Sequence, residues 1–310
     1  MNTKIYGTGS CVPEQVVTND DLSKTLDTSD EWIRTRTGIE RRHIAKGSET
    51  ASMLAVKAAR KALENAKMQP NEIEAILVAT TSGDYTFPNT ASIVQAELGA
   101  ENAACFDISA ACTGFIYAFS VANAYIMSGM YKKVLVIGAE VMSSLVDWTD
   151  RSVCVLFGDG AGAVVLGESE TGRHITRLHS NGGKGQVLTA GGLKKEYIKM
   201  DGQEVFRFAV KKVPESIEEV LQETGVSREE IKYFILHQAN VRIIEAVAKR
   251  LGLPMDKFPV NLREYGNTSA ASIPILLDEL NRGEKLQTGD KLILSGFGAG
   301  LSWGSTLIQW

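Results

Sequence analysis

Short apolar runs alternate along the chain with stretches whose apolar positions recur every three or four residues. Ala51 to Ala66 (ASMLAVKAARKALENA) puts Leu54, Ala58, Ala62 and Ala66 on one face, which predicts a helix. The runs 75–80 (AILVAT) and 133–138 (KVLVIG) are apolar without alternation, as expected of strands covered on both faces. Further strands are expected over Ala104 to Asp107 and Tyr233 to Leu236. The most apolar stretch, Ile108 to Met130, is broken by Ser109, Thr113, Gly114, Ser120 and Asn123, so it reads as a buried helix and not a membrane span. Strands alternating with helices predict an α/β protein.

The pattern also repeats. AKMQPNEIEAILVAT (66–80) aligns without gaps on TGVSREEIKYFILHQ (224–238), an offset of 158 residues. Each half then continues with a helix ending in Leu-Gly (Leu98-Gly99, Leu251-Gly252), a short strand, a small-residue helix start (SAACTGF, GNTSAAS) and an apolar strand ending in glycine (KVLVIG, KLILSG). A duplicated α/β chain is expected to bring equivalent helix starts, at Cys112 and Asn267, close to a pseudo-twofold axis.

Composition narrows the class. With 310 residues, 44% hydrophobic and 23% charged, the chain has the makeup of a globular protein with a sizeable core. A formal net charge of −4 argues against general nucleic-acid binding. The N-terminus enters a strand-like run at once, so no targeting segment is expected. Four cysteines without CxxC spacing make neither a disulfide framework nor a zinc site. A reduced, cytoplasmic protein is the expectation.

Cys112, in DISAACTGFIYAF, stands where a strand turns through small residues into an apolar helix. A helix start favours thiolate, and small neighbours leave room for a substrate; the same cysteine could equally be a packed helix residue. Cys11 in a loop, Cys105 in a strand and Cys154 in an apolar run read as structural. His43, His174 and His179 lie in charged or polar segments. His237 closes a strand, where functional groups of open α/β sheets gather, although a structural hydrogen-bonder fits there too. Asn267 in EYGNTSAAS could be a helix cap. GFGAGLSWG (296–304) lacks the lysine of a phosphate-binding loop but can present N–H groups to an oxyanion.

Together these segments resemble the β-ketoacyl-[acyl-carrier-protein] synthase III family, the initiating condensing enzymes of type II fatty-acid synthesis. The resemblance rests on DTSDEWIRTRTGIERR (27–42), DISAACTGF (107–115), FGDGAGA (157–163), ILHQAN (235–240), YGNTSAASIP (265–274) and GFGAGLSWG (296–304). It implies a thiolase-like fold of two pseudo-duplicated α/β halves, 1–168 and 169–310, in α-β-α-β-α layers, and a homodimer. It further implies a Cys112–His237–Asn267 triad, an oxyanion hole from Cys112 and Gly298, and CoA contacts from Thr28, Trp32, Arg36, Arg151 and Asn240. An acyl pocket is implied at Phe87, Met142, Phe157, Leu188, Ile198 and Phe297. Arg242, Lys249 and Arg250, at helical spacing, would dock the acidic acyl carrier protein. The implied reaction joins an acyl-CoA starter to malonyl-ACP with loss of CO2, and needs no metal or redox cofactor.

Two competing readings share the nucleophile. A chalcone-synthase-like enzyme would use malonyl-CoA, but such chains are longer and lack DEWIRTRTGI. A thioester hydrolase would need an activated water. Elongating condensing enzymes carry a second His where Asn267 stands.

Overall fold

The computed structural model describes residues 2–170, 172, 174–191 and 196–310. Its strands sort their side chains by parity, as sheets covered on both sides require. In Ala75–Ala79, Ala75, Leu77 and Ala79 face a central core, whereas Ile76 and Val78 face an outer one. In Lys291–Gly298, Leu292 and Leu294 point to the centre and Ile293 outward.

The central core holds two helices, Gly114–Met127 and Ser272–Arg282, pressed between the sheets. Ala51–Ala66 and Thr90–Leu98 cover the outside of the first sheet. Gly202–Thr224 and Val241–Leu251 cover the outside of the second. The result is the α-β-α-β-α layering of a thiolase-like fold.

Sheet topology displays the duplication. The first sheet runs Asn2–Cys11, Asp159–Ser169, Lys133–Val141, Ala75–Ala79, Ala104–Ile108. The second runs Ile175–Ser180, Ser302–Gln309, Lys291–Gly298, Ile231–Leu236, with the same sequence of antiparallel and parallel pairings. The edge strand Ala104–Ile108 has no counterpart among the described residues, so the short strand expected in the second half does not form. Cys11 ends the first strand, where a loop was expected.

Glycines bring the halves together. A Cβ on Gly138 would sit 2.2 Å from the Ala270 carbonyl oxygen, and one on Gly296 would sit 3.5 Å from that of Cys112. The 158-residue offset relates both pairs. Cys112 therefore corresponds to Ala270, and the expected equivalence with Asn267 is corrected: Asn267 precedes the repeated turn.

A further apolar group caps the first sheet's carboxyl end. Leu22, Ile33, Met142, Val146, Val153, Val155, Phe157 and Ile198 pack together there. Buried Arg42 ties it down, donating to the carbonyls of Val17 and Val155 and to Asn19 Oδ1. Among the described residues no helix is long and apolar enough to cross a membrane.

Candidate active site

Strand Ala104–Ile108 delivers the chain to a single 3-10 turn, Ala111–Thr113, from which helix Gly114–Met127 departs. Ala111 takes φ 45°, and its counterpart Ser269 takes φ 51° in the equivalent turn Ser269–Ala271. Left-handed backbone at a residue with a Cβ costs about 1 kcal/mol, and each turn is held by a residue of the opposite sheet, Ser302 at Thr113 and Glu140 at Ser269. Thr113 Oγ1 lies 2.9 Å from Ser302 Oγ and donates to the Ser302 carbonyl at 3.1 Å. Gly298 approaches so closely that a Cβ would fall 2.8 Å from Cys112 N and 3.2 Å from Cys112 Cβ. That contact requires glycine.

Cys112 is 8% exposed, and burial pushes its thiol up to about 12; a hydrogen bond with Ser269 acts in the other direction. Burial thus opposes the thiolate that the helix start favours.

His237 follows strand Ile231–Leu236, its N–H held by the Ser295 carbonyl at 2.8 Å. Its ring is buried edge-on against Phe297, 5.1 Å between centroids, and burial lowers its pKa to about 3. Nδ1 lies 2.7 Å from Ser272 Oγ, which also accepts from the Gln238 N–H at 3.4 Å. When the Ser272 hydroxyl donates to Nδ1, the ring hydrogen sits on Nε2. Asn267 does not begin a helix. Its Oδ1 accepts from the Ser269 N–H at 2.9 Å, and its backbone bonds Leu156 and Gly158. The amide NH2 is left for the cavity that Asn267 lines.

Two cavities meet at Cys112. One, of about 230 Å³, is lined by Cys112, His237, Asn267, Phe297, Gly298 and Asn240 and leads to Trp32 and Arg36. The other, of about 280 Å³, is lined by Met142, Leu145, Phe157, Leu188, Ile198 and Thr81 as well as Cys112. Phe87 stands apart from the other expected pocket residues. It is 85% exposed and lines neither cavity, because the loop after strand Ala75–Ala79 carries it out from the sheet.

Helix Asp30–Thr37 holds the outer end. Arg36 and Arg151 sit 4.6 and 5.5 Å from the Trp32 ring centre, and Arg151 also pairs with Asp27. Thr28 Oγ1 is buried without a hydrogen-bond partner. Asn240 caps helix Val241–Leu251 and reaches the Arg36 carbonyl at 3.0 Å, locking the two mouth helices together.

The mouth widens into a groove lined by Arg36, Lys199, Arg207 and Arg242, with Asp201 as its acidic residue. Lys249 and Arg250 lie in the last turn of the same helix and do not line it; Arg250 instead bonds the Val210 carbonyl and faces Glu215 at 3.8 Å. The expected three-residue face thus divides, since seven residues of helix put Lys249 about 10 Å from Arg242.

Ser272, Ser269 and Glu140 escaped the sequence reading, as did Lys199 and Arg207. The serines sit inside a small-residue run where packing explains them. Only the 158-residue offset, applied at Ala111, would have pointed to Ser269.

The family described as 3-oxoacyl-[acyl-carrier-protein] synthase III matches residues 106–182, and its C-terminal counterpart matches residues 221–310. A relative from Aquifex aeolicus, named beta-ketoacyl-[acyl-carrier-protein] synthase III, is 50% identical over the whole of both chains. One of the same name from Clostridium acetobutylicum is 49% identical over 100% of this chain and 99% of the other. The crystal structure of the Aquifex aeolicus synthase superposes with a TM-score of 0.96, covering 99% of this chain and 100% of that one. That from Pseudomonas aeruginosa, 40% identical, gives a TM-score of 0.96 with 100% and 98% covered. With its layers, its thiol turn and its full length all matched, the chain belongs to the β-ketoacyl-[acyl-carrier-protein] synthase III family.

Proposed function

We propose that this chain catalyses the decarboxylative condensation of an acyl-CoA starter with malonyl-ACP, giving 3-oxoacyl-ACP, CoA and CO2. The observation that carries the reading is the convergence of Cys112, His237 and Asn267 on one narrow cavity, with a separate apolar pocket beyond the thiol.

In the first half-reaction Cys112 sulfur attacks the acyl-CoA thioester carbonyl. The N–H groups of Cys112 and Gly298 receive the oxyanion, and CoA leaves as its thiolate. Thr28, Trp32, Arg36, Arg151 and Asn240 hold the CoA, the indole and guanidinium groups taking the adenine between them. The acyl chain enters the pocket of Met142, Phe157, Leu188 and Ile198. In the second half-reaction malonyl-ACP loses CO2 and negative charge grows on its thioester oxygen. His237 Nε2–H and the Asn267 NH2 donate to that oxygen, and Phe297 gives the carboxylate an apolar wall that favours its departure as neutral CO2. The carbanion then attacks acyl-Cys112.

Carrier docking is assigned to Arg36, Lys199, Arg207 and Arg242, a local positive surface on an acidic protein. The halves 1–168 and 169–310 serve as the domains, and a cytoplasmic homodimer is the working form. The open edge strand Ala104–Ile108 and the exposed Tyr85 and Phe87 support a second copy at that edge.

Incubation with acetyl-CoA and malonyl-ACP tests the reading. Condensation with the acyl group mapped to Cys112 is the expected result. Free acetate and CoA would instead mean a thioester hydrolase, and an acyl group on Cys11, Cys105 or Cys154 would remove the triad assignment.

A further inference from the structure

The 158-residue offset that pairs Ser269 with Ala111 and Ala271 with Thr113 also pairs Glu140 with Gly298. The two copies of one corner are therefore built from different parts. In the thiol copy, glycine at 298 leaves open the space beside Cys112 N, and Thr113 Oγ1 bonds Ser302 to hold the turn. In the other copy the glycine position carries a carboxylate, and the hydroxyl has moved to the first residue of the turn, Ser269. Glu140, at the end of strand Lys133–Val141, is fully buried. It accepts from the N–H groups of Thr81 and Ser82 at 3.1 Å each, from Thr81 Oγ1 at 3.0 Å and from Ser82 Oγ at 2.5 Å. From this mounting its Oε1 reaches the second half of the chain and accepts from Ser269 Oγ at 3.2 Å.

The turn serves the site through its backbone. Ser269 has φ 51°, a left-handed conformation disfavoured at a residue with a Cβ. In that conformation its N–H meets Asn267 Oδ1 at 2.9 Å. An N–H donor takes the oxygen end of an amide, so the NH2 end of Asn267 is left for the cavity. Were Ser269 to relax to negative φ, its N–H would swing away from Oδ1 and the amide would be free to turn over. Ala270, packed on Gly138, sets where the turn lies, but its methyl group has no polar atom with which to set the twist.

Resting on the reading of Asn267 as a donor to the malonyl thioester oxygen, we propose that Glu140 is a positioning residue for decarboxylation. Through the Ser269 hydroxyl it holds the turn left-handed, and the N–H of that turn aims the Asn267 amide. Glu140 touches no substrate in this role and moves no proton. The duplication thus gives its two copies separate duties: the glycine copy makes room for an oxyanion, and the carboxylate copy locks the amide that serves the second half-reaction.

Two replacements at 269 separate this role from general support of the fold. Ser269→Ala removes the anchor but keeps the Cβ that disfavours φ 51°, so the turn loosens. The rate constant for CO2 release from malonyl-ACP should fall about tenfold, part of the roughly 100-fold or more that outright loss of a donor costs. The KM for malonyl-ACP should change by less than about twofold, and acylation by acetyl-CoA should fall several times less than CO2 release. Ser269→Gly lacks the hydroxyl too but takes left-handed φ freely, so it should regain most of the lost rate. Glu140→Ala should match Ser269→Ala, and adding Ser269→Gly to it should restore CO2 release. If Glu140→Ala does not fold, the two Ser269 variants decide. A wild-type rate in Ser269→Ala, equal slowing in Ser269→Ala and Ser269→Gly, or equal loss of both half-reactions would each overturn the positioning role alone. Asn267→Ala is the reference: a wild-type rate of CO2 release there would overturn the reading of Asn267, and the positioning role with it.

Discussion

A hydroxyl decides what the imidazole can do. Burial pushes His237 down to about 3, towards the neutral ring, and Ser272 Oγ stands 2.7 Å from its Nδ1. Decarboxylation of malonyl-ACP should therefore show no acid limb near pH 6.5, the ordinary histidine value. Ser272→Ala frees the ring to place hydrogen on Nδ1, so decarboxylation should slow about tenfold or more while acyl transfer from CoA changes little. Rates of CO2 release and of CoA release, measured separately across pH, check both statements. A limb near 6.5 would mean that the imidazole charges in the working enzyme.

At the scale of elements, helix Val241–Leu251 joins the site to the surface. Its first turn presents Arg242 to the groove, while its last presents Lys249 elsewhere. Arg242→Glu should raise the KM for malonyl-ACP about tenfold at low salt and less at high salt, and Lys249→Glu should change it little. Steady-state kinetics at two ionic strengths distinguishes them; equal effects would place the carrier along the whole helix. Much of this layer was legible in the sequence. Helix Ala51–Ala66 forms over the expected residues, and strands Ala75–Ala79 and Lys133–Val141 follow the apolar runs. Cys112, His237 and Asn267, distant in the chain, line one cavity. Periodicity could not reveal Lys199 and Arg207, because the groove assembles them from distant segments. Nor could it show that Phe87, an acyl-pocket position by the resemblance, is 85% exposed in the single chain. The burial that opposes ionisation of the Cys112 thiol is a property of the packed molecule, which a local helix start does not show.

For the whole molecule, the packing of the layers sets the response to acid. His174 is buried against Phe119 with Nδ1 on Thr3 Oγ1, and burial lowers its pKa to about 4. The unfolded chain, with an ordinary histidine near 6.5, takes up a proton first as pH falls. Stability is therefore lost from about pH 6.5 downward, at about 1.4 kcal/mol per unit for this group, until its folded value is reached. Glu140 and Asp159, whose values are raised, act with the opposite sign, which makes a difference measurement the clean one. Between about pH 6.5 and 4.5, His174→Gln should lose about 2–3 kcal/mol less than the wild type in urea unfolding. Equal losses would show that His174 is already protonated in the fold. The narrow cavity leading from Trp32 to Cys112 has a consequence for kinetic order. About 230 Å³ admits one thioester arm, and the CoA and carrier arms must reach the same sulfur past the same His237 and Asn267. Free CoA has to vacate the passage before the second substrate enters. Initial-rate plots at several fixed concentrations of malonyl-ACP should thus be parallel lines, with CoA competing against malonyl-ACP; intersecting lines would mean that both arms fit at once.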